Sequence, residues 1–358
     1  MNVQRIRRVL DNLEDLGLSQ ALICDPTSIK YLTGYYTFPH ERFFALHLSQ
    51  QGTTLFCNKL FPDATGFADR LITFTDTDDP LPLVADVCCG SEALGVDKDL
   101  PARWLLPLMQ LGAARGFELA STAVDAARSA KDAEERELMR KASRLNDEAM
   151  GWLAAQVREG VTERAIAEGL LGCYRSLGSE GYSFDPIVSF GANAADPHHE
   201  PDDTAFVPGQ TVLFDVGCLW AGYCSDMTRT FFTATPTEHQ LEVYETVRRA
   251  NEAAAAIVAP GVEFAEIDGT ARGIITDAGY GPYFTHRLGH QIGMQVHEPG
   301  DVSGSHHEPV RPGQIFSIEP GIYLEGDIGV RIEDLCLVTE DGHEILNHYP
   351  HEATVLQV

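Results

Sequence analysis

The sequence predicts two domains, an α/β domain over residues 1–125 and a larger α+β domain over residues 126–358. A chain of 358 residues has the length of about two ordinary domains. Its first third alternates helix and strand patterns, which is typical of an α/β domain. Between Phe117 and Asp132 the pattern loosens into small and charged residues, and we place the domain boundary there.

Short elements of alternating type make up the first domain. An amphipathic helix is expected near residues 3–16, because Ile6, Val9, Leu10 and Leu13 recur at helical spacing. Runs rich in apolar and β-branched residues between turn signals predict the strands. The strands are expected at 21–24, 43–48, 53–60, 71–75 and 94–96, and further helices at 84–88 and 104–111.

The second domain begins with long helices and continues with grouped strands. The first helix has an apolar stripe from Leu138 to Leu153 and stops near Gly160. Thr162 is the expected N-cap of the next helix. Two further helices are expected from residues 236–237 to 260–261 and over 264–278, with strands at 187–190, 211–216, 228–232, 315–318, 322–324 and 330–339 and a hairpin turn at 340–342.

The composition is that of an acidic globular protein, with 44% hydrophobic and 22% charged residues. The 26 basic and 53 acidic residues give a net charge of −27, which disfavours nucleic acid and anionic membrane partners. No apolar stretch reaches the roughly 18 residues of a membrane span, and the N-terminus lacks the apolar core of a secretory signal. The eight cysteines form no CxxC pair and predict buried free thiols, so we expect a cytoplasmic protein.

Two aspartates flank a short turn near residues 220–222. In a hairpin centred near residue 220, Asp215 and Asp226 would lie opposite each other with their side chains on one face. Like charges placed opposite each other are destabilising unless a cation lies between them. The pair therefore indicates either a cation site or two acids that only mark strand ends.

Three histidines follow in the segment HRLGHQIGMQVHE. His286 and His290 are spaced for one helical face, but Gly289 and Gly293 disfavour a helix, and the Glu of the HExxH zinc motif is absent. Glycines also permit close approach of the backbone. The segment, which ends with His297, predicts either a site on loops and strands or ordinary polar side chains.

Two glutamates complete the set of chemically informative residues. Glu319 directly follows an apolar strand, and Glu333 is expected to share a strand face with Arg331. Four clustered carboxylates are not tolerated in a core without cations, and two divalent ions would neutralise them. Oxygen ligands with one imidazole favour Mn²⁺, with Co²⁺ or Zn²⁺ as alternatives. Two such ions about 3.5–4 Å apart can hold a bridging hydroxide for hydrolysis.

These residues lie in motifs that occur together in one enzyme family. The runs FDVG, SDMTRT, GHQIG with VHE, SIEPG and VRIED stand in the order of the pita-bread-fold metallopeptidases, the family of prolidase, aminopeptidase P and methionine aminopeptidase, which the chain resembles over its whole length. The resemblance implies a creatinase/prolidase-type N-terminal domain followed by a pita-bread catalytic domain. The histidine segment is most similar to that of bacterial Xaa-Pro dipeptidases.

The resemblance also implies which residues bind metal. Asp215 would bind one of two divalent ions. Asp226 and Glu333 would bridge both ions, and His290 and Glu319 would bind the second.

Further residues take their expected roles from the same resemblance. His198 would stabilise the transition state, His297 would contact the scissile carbonyl, and His286 would lie on the substrate side. Arg331 is the arginine that precedes the bridging glutamate. Gln291 departs from the family, which usually has Gly after the metal-binding histidine.

The activity that the resemblance implies is hydrolysis of the bond preceding proline, most of all in Xaa-Pro dipeptides, with Glu319 moving a proton to the leaving nitrogen. An Xaa-Pro bond offers no N–H, so recognition must use shape, an apolar pocket and the terminal charges. Arg287 is the first candidate for the substrate carboxylate and Arg331 the second. The resemblance also implies that the protein forms a homodimer.

Two alternatives stay open at the level of sequence. An aminopeptidase P would release the N-terminal residue from longer Xaa-Pro peptides. The other is a binding protein that has the pita-bread fold but no catalytic activity. Such relatives have typically lost metal ligands, whereas all five expected ligands are present here.

Overall fold

The computed structural model describes residues 1–358, which form two compact units, Met1–Arg128 and Ser129–Val358. The first unit is α/β and the second α+β, which confirms the predicted fold class. Each unit has hydrophobic clusters of its own, centred on residues such as Phe56 in the first and Phe316 in the second. None of the helices has the length and apolar character needed to cross a bilayer.

The first unit is built on one six-stranded sheet of order β4-β3-β2-β1-β5-β6. β2 pairs antiparallel with β1 and β3, whereas the outer pairs β3–β4, β1–β5 and β5–β6 are parallel. The elements are α1 Val3–Asp15, β1 Gln20–Ile23, α2 Pro26–Thr33, β2 Ala45–Ser49, β3 Gly52–Asn58, β4 Arg70–Phe74, α3 Leu81–Ala85, β5 Ala93–Val96, α4 Ala102–Gln110, β6 Gly116–Leu119 and α5 Ser121–Ser129.

Helix α2 was not expected from the apolar pattern, because it is short. Its start is nevertheless encoded locally: the Asp25 side chain accepts hydrogen bonds from the amides of Thr27 and Ser28, and Pro26 takes the first helical position. Gly34, with φ of 83°, ends the helix. β6 and α5 likewise lie in the stretch that the sequence pattern left without regular structure.

The second unit contains four long helices and four hydrogen-bonded sheets, β11-β10-β7, β12-β9-β8, β14-β13-β15-β18-β19 and β16-β17. Its elements are α6 Ala133–Gln156, α7 Glu163–Ser176, β7 Gly181–Tyr182, β8 Ile187–Phe190, β9 Val212–Val216, β10 Cys218–Trp220, β11 Tyr223–Cys224, β12 Met227–Phe231, α8 Glu238–Ala256, α9 Phe264–Asp277, β13 Gly289–Gln291, β14 Glu298–Val302, β15 Ile315–Ile318, β16 Gly321–Leu324, β17 Ile328–Arg331, β18 Asp334–Val338 and β19 His343–Ile345, with 3₁₀ helices at Gly191–Ala195 and Gly281–Tyr283.

Helix pairs cover the sheets on one side. Helices α6 and α7 pack against Val212 and Phe214 of β9, while α8 and α9 pack against Phe316 and Ile318 of β15. Because strand side chains alternate, Asp215 projects from the face of β9 that the helices do not cover. The uncovered sheet faces are therefore available for polar side chains.

The predicted register of the aspartate hairpin is wrong. Asp215 pairs with Thr228, and Asp226 lies just before β12 begins. A two-residue turn at Ala221 and Gly222, with φ of 50° and 78°, joins β10 to β11 and sets this register. The two acids are diagonal neighbours, which separates their charges more than direct opposition would.

The strand expected at 330–339 is also divided. β17 ends at Arg331 in one sheet, and β18 begins at Asp334 in another. Between them the amide of Glu333 donates to the carbonyl of Thr228, 3.1 Å away. The backbone turns towards β12 between the two strands, and this turn places Glu333 beside Thr228.

A buried arginine fastens the C-terminal segment to this junction. Arg229, which is 1% exposed, donates to four backbone carbonyls, among them those of Glu333 and Tyr349, both at 2.7 Å. It also donates to Oδ1 of Asp334 at 2.7 Å. Burial by itself would raise the pKa of Asp334, yet Arg229 and His351 hold it below its ordinary value.

Replacing this arginine is expected to destabilise the second unit strongly. Arg229→Met leaves a buried carboxylate and several carbonyls without their donor, so the free energy of unfolding should fall by about 3–5 kcal/mol. Arg248→Met is the matched control, because Arg248 pairs with Glu245 and Glu252 on the outside of α8 and should cost below about 1 kcal/mol. Urea unfolding with chelator present measures both, and equal losses would contradict the expectation.

Candidate metal centre

Strand ends of the second unit bring the four predicted carboxylates together. Asp215 lies on β9, Asp226 precedes β12, Glu319 follows β15, and Glu333 joins β17 to β18. Asp215, Asp226 and Glu333 are buried, whereas the Glu319 side chain keeps 17% of its surface exposed. All four line one cavity of about 400 Å³.

His290 joins the carboxylates from β13. Its Nε2 lies 3.7 Å from Oδ2 of Asp226 and 3.5 Å from Oε1 of Glu319. The preceding glycine permits this approach, since a Cβ at Gly289 would lie 1.9 Å from the carbonyl oxygen of Ser317. The imidazole is thus held against the acids by backbone packing between β13 and β15.

The donor set fits a divalent cation. Asp226, His290 and Glu333 each place one potential ligand atom in a group whose members all lie within 4.8 Å of one another. Oδ1 of Asp215 and Oδ1 of Asp226 are buried without a hydrogen-bond donor. Buried carboxylate oxygens are rarely left without a partner, and a bound cation would supply one.

The electrostatics of the cluster lead to the same conclusion. Burial, then the neighbouring carboxylates, raise the pKa values of Asp226 and Glu333 well above their ordinary range. Burial raises the pKa of Glu319 to about 7, against the opposing effect of Arg331. Burial, with His297 nearby, lowers the pKa of His290 to about 3. A cation would stabilise the charged carboxylates and the neutral imidazole, which are the forms that bind metal.

Arg331 is the one cation of the chain within hydrogen-bonding distance of these acids. Its Nη2 donates to Oδ2 of Asp215 at 2.6 Å, its Nε to Oγ1 of Thr228 at 3.1 Å, and its Nη1 to the hydroxyl of Tyr323 at 2.8 Å. Thr228 in turn donates to Oε2 of Glu333 at 2.7 Å. Arg331 and Thr228 thus fix the orientation of two of the carboxylates.

Thr228 and Tyr323 were missed by sequence reasoning. Thr228 lies two residues after Asp226, so the alternation of strand side chains could have indicated a shared face. Nothing in the local sequence around Tyr323 indicates that its hydroxyl meets Arg331, since the contact depends on the packing of β16 on β17.

The cavity brings together all ten residues singled out from the sequence. Phe184, Ile187 and Val296 add apolar surface to its wall. The ten polar lining residues are Asp215, Asp226, Glu319, Glu333, His290, His198, His286, His297, Arg287 and Arg331. Their roles as metal ligands, catalytic residues and substrate contacts remain predictions.

Two histidines on the cavity wall, His286 and His297, have lowered pKa values. Burial, with Arg331 and other cations nearby, lowers the pKa of His286 to about 4, and its Nε2 lies 2.9 Å from the hydroxyl of Tyr323. Burial and the charge of Arg287 lower the pKa of His297. Neutral imidazoles can donate hydrogen bonds to a substrate without adding charge.

Gln291 has a structural environment that accounts for its departure from the family pattern. It is 4% exposed, and its Oε1 accepts a hydrogen bond from Ser129 at 2.6 Å. Ser129 accepts from Nε2 of Gln314 at 2.9 Å. The amide therefore belongs to a buried polar network behind β13, and Gln291 does not line the cavity.

Comparison with known proteins assigns the family. The model of metallopeptidase family M24 matches residues 137–340, and that of the creatinase/prolidase N-terminal domain matches residues 5–130. The chain therefore belongs to metallopeptidase family M24, and the pita-bread fold of its catalytic unit, predicted from the sequence, is confirmed.

Individual relatives are similar over nearly the whole chain. An uncharacterized peptidase of Staphylococcus aureus is 36% identical over 353 residues, 96% of this chain and 99% of the relative. The crystal structure of a prolidase from Thermococcus sibiricus has a TM-score of 0.93 at 32% identity, covering 99% and 100% of the two chains. That of an X-Pro aminopeptidase from Thermotoga maritima has a TM-score of 0.84 at 27% identity, covering 96% and 99%.

Metal binding is expected to depend on Asp226. With saturating Mn²⁺ the wild-type protein should unfold about 5 °C or more above its temperature in chelator, since a bound ion stabilises the folded state. Asp226→Asn should lose most of this gain. In chelator it should be at least as stable as the wild type, because one member of a repelling buried cluster has become neutral.

Asp341→Asn, at an exposed hairpin position, is the matched control and should keep the full gain. Thermal unfolding followed by circular dichroism measures all three proteins. An unchanged Mn²⁺ shift in Asp226→Asn would show that this carboxylate does not bind the ion.

Proposed function

We propose that the protein is a metal-dependent dipeptidase that hydrolyses the bond preceding proline in Xaa-Pro dipeptides. The observation that carries the proposal is the cavity itself, in which four carboxylates, four imidazoles and two guanidinium groups line a space of about 400 Å³. A cavity of this size is at the lower end of ordinary ligand sites and suits a small substrate. Similarity to a prolidase supports the same substrate class.

Five residues would hold the metal ions in this proposal, namely Asp215, Asp226, His290, Glu319 and Glu333. Two divalent ions suit four carboxylates better than one, and Mn²⁺ is preferred over Co²⁺ and Zn²⁺ because the ligands are mostly oxygens. When bound, the ions supply Lewis acidity and lower the pKa of water.

Recognition of the substrate follows from the wall of the cavity. Phe184, Ile187 and Val296 offer apolar surface for a pyrrolidine ring, which has no N–H to be recognised. Arg287 is exposed at the cavity and forms no ion pair within the chain. A guanidinium in this position suits the carboxylate that a dipeptide carries directly after its proline ring.

The remaining polar residues would serve the reaction at defined atoms. His198 and His297 would donate hydrogen bonds to the carbonyl oxygen as negative charge develops on it. Glu319 would carry a proton from the attacking water to the proline nitrogen. Arg331 would keep Asp215 in place through their 2.6 Å hydrogen bond.

An aminopeptidase acting on longer Xaa-Pro peptides is the second candidate, favoured by the similarity to the Thermotoga maritima X-Pro aminopeptidase. The lower identity and TM-score of that structure make it the weaker proposal. The exposed guanidinium of Arg287 on the cavity wall favours substrates that end at proline.

A homodimer and a cytoplasmic location complete the proposal. The homodimer is proposed from the family resemblance. The cytoplasmic location is supported by eight free cysteines, six of them buried, which suit a reducing compartment. Cys89 is exposed, contrary to the expectation that all of the thiols are covered.

Activity on matched peptides tests the proposal. We expect the purified protein with Mn²⁺ to cleave an Xaa-Pro dipeptide, and chelation to abolish the cleavage. An Xaa-Pro-Xaa tripeptide should be cleaved much more slowly, and an Xaa-Ala dipeptide measures the requirement for proline. Preferred cleavage of the tripeptide would assign the aminopeptidase activity, and no cleavage with metal bound would reject the substrate class.

Glu319→Gln serves as the inactive reference in these assays. It keeps the shape and one oxygen of the side chain but cannot carry a proton, so its kcat should fall at least about 100-fold. Metal content measured in parallel separates this loss from a loss of ions.

Arg287→Gln is expected to weaken substrate binding. Loss of one charge-assisted hydrogen bond should raise KM for an Xaa-Pro dipeptide about ten-fold with little change in kcat. The wild type should discriminate against the same dipeptide with an amidated C-terminus, and the variant should lose most of this discrimination. Arg311→Gln, an exposed arginine away from the cavity, is the control. An unchanged preference for the free carboxylate would show that another residue binds it.

A further inference from the structure

Two adjacent histidines lie in the loop that runs from Gly191 to Thr204, and they have different surroundings. His198 is exposed and lines the cavity. His199 does not line the cavity, and its Nε2 lies 2.6 Å from Oε2 of Glu163, the first residue of α7. No role for His199 follows from the sequence motifs.

Glu163 is a fully buried carboxylate surrounded by donors. Its Oε1 accepts hydrogen bonds from the amide of Phe190 at 2.7 Å and from Nδ2 of Asn193 at 3.0 Å. Its Oε2 accepts a hydrogen bond from the amide of Asp202 at 3.3 Å and also contacts the His199 ring. The carboxylate therefore joins the beginning, middle and end of the loop, and its burial is compensated by these bonds.

Glu163, His199 and Asp202 are also close enough together to hold a cation. The hydrogen bonds argue against that use, because each oxygen of Glu163 already accepts two donors. Asp202 is exposed, and its Oδ1 accepts the amide of Thr204 at 2.7 Å. The group is thus a hydrogen-bonded anchor.

The same loop is held against the cavity on its other side. The 3₁₀ helix at its start packs so closely on β17 that a Cβ at Gly329 would lie 1.7 Å from the carbonyl oxygen of Ala194. Nη1 of Arg331 lies 3.4 Å from the carbonyl of Pro197. His198 follows this contact directly, between one anchor at Arg331 and the other at Glu163.

We propose that Glu163 and His199 are positioning residues, whose hydrogen bond holds the loop so that His198 meets the substrate carbonyl. The inference rests on the proposed function in so far as His198 acts in the reaction. A displacement of about 1 Å in such a donor can lower the rate as much as 100-fold. Because His198 itself has an exposed ring, its position depends on the backbone of the loop.

Kinetics of three variants test the role of the anchor. His199→Ala should lower kcat on the preferred Xaa-Pro substrate about ten-fold or more, with KM little changed. His199→Gln should restore most of the rate, since its amide nitrogen can take the place of Nε2 and donate to Glu163. His307→Ala is the control, because His307 forms an exposed pair with Glu263 and should leave kcat unchanged.

A double-mutant cycle separates positioning from general stability. If His199 acts through His198, then His199→Ala should cost less than about two-fold in kcat when His198→Ala is already present. An equal loss in both backgrounds would overturn the inference, and so would a His199→Gln variant as slow as His199→Ala.

Amide hydrogen exchange tests the anchor independently of the activity. In the folded, metal-loaded protein, His199→Ala should raise exchange over residues 191–204 about ten-fold, and His199→Gln should not. If the wild type fails to cleave Xaa-Pro peptides, the proposed function is rejected, while this measurement still decides whether the histidine holds the loop. Unchanged exchange in His199→Ala would reject the anchor.

Discussion

Negative charge gathered in a desolvated cavity is the constraint on which the second unit depends. Four carboxylates lie on strand ends around one space, and the chain provides a single buried guanidinium, Arg331, to oppose them. Repulsion and burial raise the pKa values of Asp226 and Glu333. Such an arrangement is unfavourable without further positive charge, which a cation bound at these oxygens would supply.

The scaffold meets this constraint by dividing the faces of its sheets. Helices α6 to α9 cover the outer faces and supply the hydrophobic burial, so the inner faces are free for polar side chains. Backbone contacts then set the positions of those side chains. Gly289 allows β13 to approach β15 closely, and Arg229 draws the carbonyls of Glu333 and the C-terminal segment together. Rigid elements of this kind hold a site more accurately than loops do.

The histidines and Arg287 give the cavity a second chemical character. Burial and nearby cations lower the pKa values of His286 and His297, while the Arg287 side chain is exposed. One cavity thus combines imidazoles and guanidinium groups with the carboxylate cluster. This composition agrees with membership of a metallopeptidase family.

Local sequence determined most elements and the types of residue at the site. Apolar periodicity, N-caps such as Thr162 and strand-end acids are encoded by neighbours in the chain, so the fold class and the four carboxylates could be predicted from the residues themselves. His198 was found through the family resemblance and not through a local pattern. Tertiary structure alone decided the pairing of Asp215 with Thr228, the break before Glu333 and the anchoring of His199 by Glu163. These features depend on hydrogen bonds between residues distant in sequence, and no local pattern records which distant partner a donor will meet.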